Sequence, residues 1–410
     1  MPERNYAKFY ITEKAEKMLR RGHSWVYAEE VTSTEGAYEN GDIVDVLTKK
    51  GRWMGAGLVN DHSKIRVRIL SQNTNDRFDA AFFERRLRYA IDYRETVMGD
   101  DFSCCRLIFG EADFFPGFTV DKFNDILISE VLSFGIDRRR ALLYPLLVQI
   151  LAEKGISIRA IYERNDSPLR DKEGLPKYCG FYTSPDLPLR DDLDGHTEIT
   201  ENGIRYAIDY INGQKTGFFL DQKYNRLAAA RIARGKKVLD CCTHTGAFAL
   251  NAAKAGALEV TAVDISSDAL RLAEENARRN RLDDRMTFLC ADVFELLTEL
   301  SASKKKPYDY IILDPPAFTK SHATVHNAYQ GYKEINRKAM KLLPRGGYLA
   351  TCSCSHFMTT ELFTRMLTEA AQEAGVRLRQ IEARQQSADH PILWGIPETN
   401  YLKFFLFQIV

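Results

Sequence analysis

Residues 236–265, KKVLDCCTHTGAFALNAAKAGALEVTAVDI, constrain the fold more than any other stretch. A short apolar run, Val238-Leu239, ends in Asp240. A turn of small residues follows, Cys241-Cys242-Thr243-His244-Thr245-Gly246, and then an alanine-rich run of helical character over 247–255. A second apolar run, 259–263, ends in Asp264. The pattern predicts strand, turn, helix and strand, with a carboxylate closing each strand. Units of this kind build an open, doubly wound α/β sheet, where ligands sit beyond the carboxyl ends of the strands.

Two ligand classes use that layout. A dinucleotide needs a G-x-G-x-x-G turn, so that its pyrophosphate can approach the backbone and rest on a helix N-terminus. Here the turn holds one glycine, Gly246, and Asp240 stands just before it. A carboxylate there repels pyrophosphate and suits a cationic ligand such as the amino group of S-adenosylmethionine (SAM). Asp264 is then placed to take both hydroxyls of a ribose. A plainer reading, in which each acid only caps the segment after its strand, stays open.

At 410 residues the chain exceeds one ordinary core, so two or three domains are expected. Its net charge of +1 gives no sign of a polyanion partner, and any nucleic-acid site must be a local patch. No run approaches the roughly 18 apolar residues of a membrane span, and MPERNYAKFYITEK is too charged for a signal peptide. The reading is a cytoplasmic protein with no membrane partner. The 8 cysteines lack zinc spacing, so no metal is expected; they read as reduced thiols, mostly small buried hydrophobes.

Residues 1–72 read as short strands broken by turns, forming a small β-barrel-like module. KIRVRIL alternates strictly, and Lys64, Arg66 and Arg68 share a face that reads either as a basic stripe or as an ordinary solvated surface. RRGHSWVYAEEV followed by GDIVDVLTKKGRWMGAGLVN resembles the PUA domain, an RNA-binding module. Residues 73–190 read as a central α+β domain. It has a helix over 78–97 with Arg85, Arg86, Arg88 and Arg94 outward, strands at 106–109, 126–132 and 159–163, and a helix over 138–153. The loop ERNDSPLRDKEGL is equally a functional loop or a linker, and TSPDLPLRDDLDG reads as the inter-domain boundary. Residues 191–410 complete the sheet. Strands are expected at 286–290, 308–313 and 348–352, and the last two runs, 377–383 and 401–410, should pair antiparallel. That ending is typical of class I methyltransferases and not of dehydrogenases.

Four strand ends now carry acids: Asp240, Asp264, Asp292 and Asp314. They divide as Asp240 by the methionine moiety, Asp264 on the ribose, Asp292 near the adenine amine and Asp314 toward the substrate. In Asp314-Pro315-Pro316-Ala317-Phe318 the prolines fix an extended, donor-poor turn that offers carbonyls and a carboxylate to a flat ring, with Phe318 able to stack on it. Next comes Thr351-Cys352-Ser353-Cys354-Ser355-His356. A thiol there is either inert packing or a nucleophile. Cytosine C5 is poorly nucleophilic, and a thiolate adding to C6 makes it carbanion-like, while an acid at N3 stabilises the adduct. Cys354 and Asp314 supply such a pair, and one thiol of the two is expected to face the pocket.

YERNDSPLRDKEGL, TGFFLDQKYNR, VLDCCTHTGAFALNAAKAGA, VDISSDAL, LDPPAF and TCSCSHFM, in this order behind the PUA-like head, resemble the large-subunit ribosomal RNA methyltransferase I family of cytosine-C5 enzymes. The resemblance covers nearly the full chain. It implies SAM as cofactor, large-subunit ribosomal RNA as partner, and catalytic roles for Cys354 and Asp314 with Pro315, Pro316 and Phe318 toward the base. It implies that residues 217–222, with Phe219, Asp221 and Gln222, cover SAM, alongside Asp240, Thr243, Gly246, Asp264, Ile265, Asp292 and Asp314. The spacing Cys-Ser-x-x-Met favours Cys354 over Cys352. The broader cytosine-C5 RNA methyltransferases carry a second cysteine where this chain has Pro316, so another base would have to serve the release step. Two other readings stay open: methylation of a purine nitrogen at the DPPAF turn, with both cysteines structural, and a non-catalytic RNA-binding assembly factor. A homodimer is also left open.

Overall fold

A computed structural model of the chain describes residues 5–185, 187–302, 306–319 and 321–410. Tertiary contacts divide it into two compact units. One runs to Ile199 and adds Ile208–Leu220 and Ala388–Thr399; the other takes Thr200–Ala207, Asp221–Ser387 and Asn400–Val410.

The first unit opens with a six-stranded sheet in the order Trp25–Tyr27, Ile65–Ser71, Trp53–Val59, Ile43–Thr48, Lys8–Ile11 and Val31–Glu35. The alternating KIRVRIL run puts Val67 and Ile69 into the core with Phe9, Val26, Val44 and Val46. A helix, Glu13–Arg20, stands where strands and turns alone were expected. Thr12 caps it by accepting from the Ala15 N–H at 3.3 Å, and Ala15 and Leu19, four apart, supply its buried stripe.

Neither sequence reading of the Lys64–Arg66–Arg68 face holds for all three residues. Lys64 is exposed and half-buried Arg66 pairs with Asp61, but Arg68 is buried against Glu173 at 2.7 Å. Glu173 lies in the 163–175 loop and also accepts from Ser63 Oγ at 2.6 Å and Asn60 Nδ2 at 3.0 Å. Arg170 of the same loop is fully buried, its Nε donating to the Pro176 carbonyl at 2.7 Å. This loop is therefore a structural clasp, not a slack linker. Glu173→Ala would leave the Arg68 guanidinium buried without its main partner. It should cost about 3–5 kcal/mol of stability, read as a lowered urea midpoint.

The second sheet of this unit runs Tyr178–Tyr182, Ala160–Asn165, Ile126–Val131, Phe118–Phe123 and Cys104–Phe109. Phe118–Phe123 falls within a stretch the sequence reading treated as a connection; Gly117, at φ 70°, turns the chain into it. Helix Ala80–Met98 packs on Cys104–Phe109 and on helix Arg140–Glu153. Arg94 does not point outward from it. Its side chain is fully buried, bidentate to Asp113, with Nε donating to the Arg106 carbonyl at 2.9 Å. A buried acid 19 residues further along the chain cannot be read from helical periodicity.

The second unit is the doubly wound sheet. Its strands are β1 Lys237–Cys241, β2 Glu259–Asp264, β3 Met286–Cys290, β4 Tyr310–Leu313, β5 Tyr348–Ser353, β6 Leu378–Arg384 and β7 Lys403–Ile409. Spatially they run β3-β2-β1-β4-β5-β7-β6. The first five are mutually parallel, and β7 is antiparallel to both neighbours. This is the class I methyltransferase sheet, closed by the antiparallel hairpin expected from sequence. The helices are α1 Lys223–Ala230, α2 Ala247–Lys254, α3 Ser267–Arg279, α4 Val293–Ala302, α5 Val325–Leu342 and α6 Thr360–Ala374. β4 is buried throughout, as its wholly apolar sequence requires. α4 was not anticipated. Its core centres on Leu239, Ile311, Leu313, Tyr332, Leu349, Phe363 and Phe405. Among the described residues, no helix is long and apolar enough to cross a membrane.

Candidate active site

β1 and β4 are neighbours in space though far apart in the chain, and the segments leaving their carboxyl ends form the crevice of a doubly wound sheet. Asp240, inside β1, is fully buried. Its Oδ2 accepts from Thr243 Oγ1 at 2.6 Å and from the Ala249 N–H at 2.9 Å, whereas Oδ1 has no hydrogen-bond partner. Burial pushes the carboxyl up to about 7 in spite of those two bonds, and the nearby Asp314 charge adds to the effect. An orphaned acceptor on a buried acid costs about 1–3 kcal/mol and calls for a donor from outside.

At the end of β2, Asp264 accepts from the His244 N–H at 2.8 Å and the Ser266 N–H at 3.0 Å, one on each oxygen. Ser266 in turn caps α3. The next residue, Ile265, is 71% exposed and offers an apolar surface to a flat ring. Asp292 behaves as the plainer reading of these acids expects. Its Oδ1 accepts from the N–H groups of Phe294 at 2.7 Å and Glu295 at 3.1 Å, capping α4.

The turn between β1 and α2 is backbone-strained. Cys242 and His244 hold left-handed φ values of 62° and 53°, and Gly246 has φ 81°. A side chain on Gly246 would meet Ala273 Cβ at 3.0 Å, so only glycine fits there without displacement. Strain of this kind costs of order 1–3 kcal/mol per residue and gathers at functional sites. The half-buried Cys242 thiol marks where the acids converge. Burial first, then Asp264, Asp314, Asp240 and Asp292, push it far above the ordinary thiol range. Burial holds His244 down at about 4, so it is neutral at pH 7.

Asp314 leaves β4 bound to Gln222, whose Nε2 donates to Oδ1 at 2.9 Å. Gln222 is itself fixed by Asn225, which donates to its Oε1 at 2.7 Å. Buried Cys352, on the neighbouring strand, acts on Asp314 electrostatically. Burial, then the Asp221 charge, raise the Asp314 carboxyl to about 6, while Arg226, Gln222 and Cys352 restrain it. Asp221 is buried and accepts from Tyr401 Oη at 2.6 Å. Pro315 is buried and Pro316 exposed; the half-buried Phe318 ring packs 4.4 Å from Tyr332 and 5.9 Å from Phe294. Phe219 belongs to the first unit, where Lys215 Nζ lies 5.0 Å from its ring centroid.

The two thiols do not divide between faces as expected. Residues two apart on a strand share a face, and Cys352 and Cys354 act on each other electrostatically. What separates them is the end of β5 at Ser353. Cys352 lies fully buried inside the strand, and burial with the Asp314 charge pushes its thiol well up. Cys354 lies just beyond it, half-buried. Close by is Lys403, whose ammonium donates to the carbonyls of Ser355 at 2.7 Å and Tyr401 at 2.8 Å. No carboxylate among the described residues pairs with it. Burial lowers Lys403 to about 8, and Cys354 is the charge that acts against this.

The family model for S-adenosylmethionine-dependent methyltransferases matches residues 189–407, and that for a PUA-like domain matches residues 9–72. The ribosomal RNA large subunit methyltransferase I of Shewanella amazonensis is 42% identical over 95% of this chain and 96% of its own length. The chain belongs to that family. The Klebsiella pneumoniae member is 36% identical over 100% of both chains. A Streptococcus mutans protein assigned as a SAM-dependent methyltransferase shares the fold, with a TM-score of 0.80 and 21% identity over 98% of this chain and 99% of that one. The cofactor of this family is SAM. Among the described residues there is no cluster of side chains suited to a metal ion.

Three features near these residues carry no assignment from sequence: Cys242, the influence of Cys352 on Asp314, and Lys403. The last had a visible signal, a lone lysine inside the apolar run YLKFFLFQIV.

Proposed function

We propose that this methyltransferase forms 5-methylcytosine in large-subunit ribosomal RNA, with Cys354 as nucleophile and Asp314 as the acid at the base. The observation that carries the reading is the contrast between the two thiols. Cys352 is sealed against a carboxylate that disfavours its thiolate, whereas Cys354 lies half-buried near an ammonium that no carboxylate neutralises. SAM supplies an electrophilic methyl group. Asp240 is proposed for its amino group, which would satisfy the orphaned Oδ1; Thr243 and Gly246 shape that turn. Asp264 takes the ribose, Ile265 and Asp292 the adenine, and Phe219, Asp221 and Gln222 the cover.

On the base, Cys354 Sγ bonds to C6 as the C5–C6 π pair moves to C5 and N3 takes a proton from Asp314. A carboxyl raised to about 6 is still partly protonated near neutrality, which suits it to that donation. C5 takes the methyl. Loss of the C5 proton to a base re-forms the double bond and expels the thiolate, and N3 returns its proton to Asp314. Pro315, Pro316 and Phe318 orient the ring. The first 72 residues are proposed to hold the RNA, and the site of action to be the cytoplasm. Nucleoside mass spectrometry of RNA treated with the enzyme should give 5-methylcytidine. An N-methylated purine in its place would transfer the chemistry to the DPPAF turn and leave both cysteines structural.

A further inference from the structure

In the first unit, helix Ala80–Met98, the turn before Phe114 and the chain beyond Ile65–Ser71 line an open cavity of about 450 Å³. That is room for one nucleotide. Two of its walls are aromatic rings open to solvent, Tyr89 at 64% exposure and Phe114 at 44%. Phe114 holds a left-handed backbone at φ 61°, a conformation that ordinarily falls to glycine or asparagine. That backbone leaves the ring at the cavity, partly open to solvent.

The polar wall is cationic. The Arg86 guanidinium lies 4.8 Å from the Phe114 ring centroid and 4.9 Å from that of Phe82, between the two rings. Arg85 stands beside it, 44% exposed. Asp76 serves both, at 3.0 Å from Arg85 and 3.8 Å from Arg86, and also accepts from Ser71 Oγ at 2.6 Å. The other acid of the lining, Asp113, is held bidentately by buried Arg94. Two guanidinium groups thus share one carboxylate, leaving positive charge in excess. Aromatic faces next to surplus guanidinium match a base that stacks and a phosphate that pairs.

We infer that this cavity takes one unpaired nucleotide of the RNA strand, its base against Tyr89 or Phe114 and its phosphate on Arg85 and Arg86. The inference rests on the reading of RNA as substrate, and adds a single-strand hold within the first unit.

The test is fluorescence anisotropy with the full-length protein, a labelled single-stranded oligoribonucleotide and a duplex of the same sequence. Tyr89→Ala should weaken single-strand binding about 5- to 100-fold, the range for losing one stacked base, and leave duplex binding within twofold. Phe114→Gly should weaken it similarly. Arg85→Gln with Arg86→Gln should flatten the salt dependence of single-strand binding. SAM affinity should not move in any of them. Single-strand affinity unchanged in both aromatic variants, or an equal loss on duplex, would overturn the inference alone. A wild-type protein that binds no RNA would overturn the substrate reading together with it.

Discussion

Cys354→Ala should reduce methyl transfer to RNA by at least three orders of magnitude and leave SAM affinity unchanged, because the thiol acts on the base and not on the cofactor. Cys352→Ala should retain most of the activity. Cys352 helps to hold the Asp314 carboxyl down, so its loss should let the carboxyl rise further and move the acidic limb of the pH–rate profile with it. Asp314→Asn should bind SAM normally but turn over slowly, lacking the proton for N3. Isothermal titration of SAM and a methyl-incorporation assay across pH 5–9 on the three variants separate these roles. Full activity in Cys354→Ala would remove the covalent mechanism.

The second large effect should come from Asp240, and in opposite directions for stability and binding. Its folded carboxyl is raised to about 7 from an ordinary value of 3.8, so the ligand-free fold prefers the protonated form. Below the unfolded value this costs nothing. The penalty grows as pH rises between about 4 and 7, and is full above that. Asp240→Asn should therefore melt close to wild type at pH 4. At pH 8 it should be more stable by about 1–3 kcal/mol, the relieved ionisation being partly offset by an amide N–H without an acceptor. The same amide would face the SAM ammonium with a donor, and affinity should fall at least tenfold. Thermal melts at the two pH values, paired with calorimetry, read both effects. A variant that binds SAM as wild type does would remove Asp240 from the amino group.

These effects also show what could be read from the chain and what could not. The strand ends were legible because they are local: an apolar run closed by an acid recurs four times, and the sheet order places them together. The antiparallel β6–β7 hairpin was legible for the same reason. Arg68 and Arg94 were not. Helix and strand period put both on polar faces, but Glu173 and Asp113, each from a distant segment, make burial affordable by pairing with them. The site behaves likewise. Asp314 was found from DPPAF, yet its restraint by Gln222 and Cys352 depends on the residue before α1 and the end of β5 lying beside it. Asp292 was assigned to the adenine from its strand end alone; that it spends one oxygen capping α4 depended on a helix the sequence reading did not find.

The central claim is a covalent bond between Cys354 and C6 of a cytosine. It is tested most directly by RNA carrying 5-fluorocytosine at the target, since fluorine blocks loss from C5 and holds the adduct. The account predicts a SAM-dependent protein–RNA complex that survives denaturing electrophoresis, maps by peptide mass spectrometry to Cys354, and forms in Cys352→Ala but not in Cys354→Ala. A complex mapped to Cys352 would contradict the assignment of the thiol; methylated RNA with no covalent complex in any form would contradict the mechanism itself.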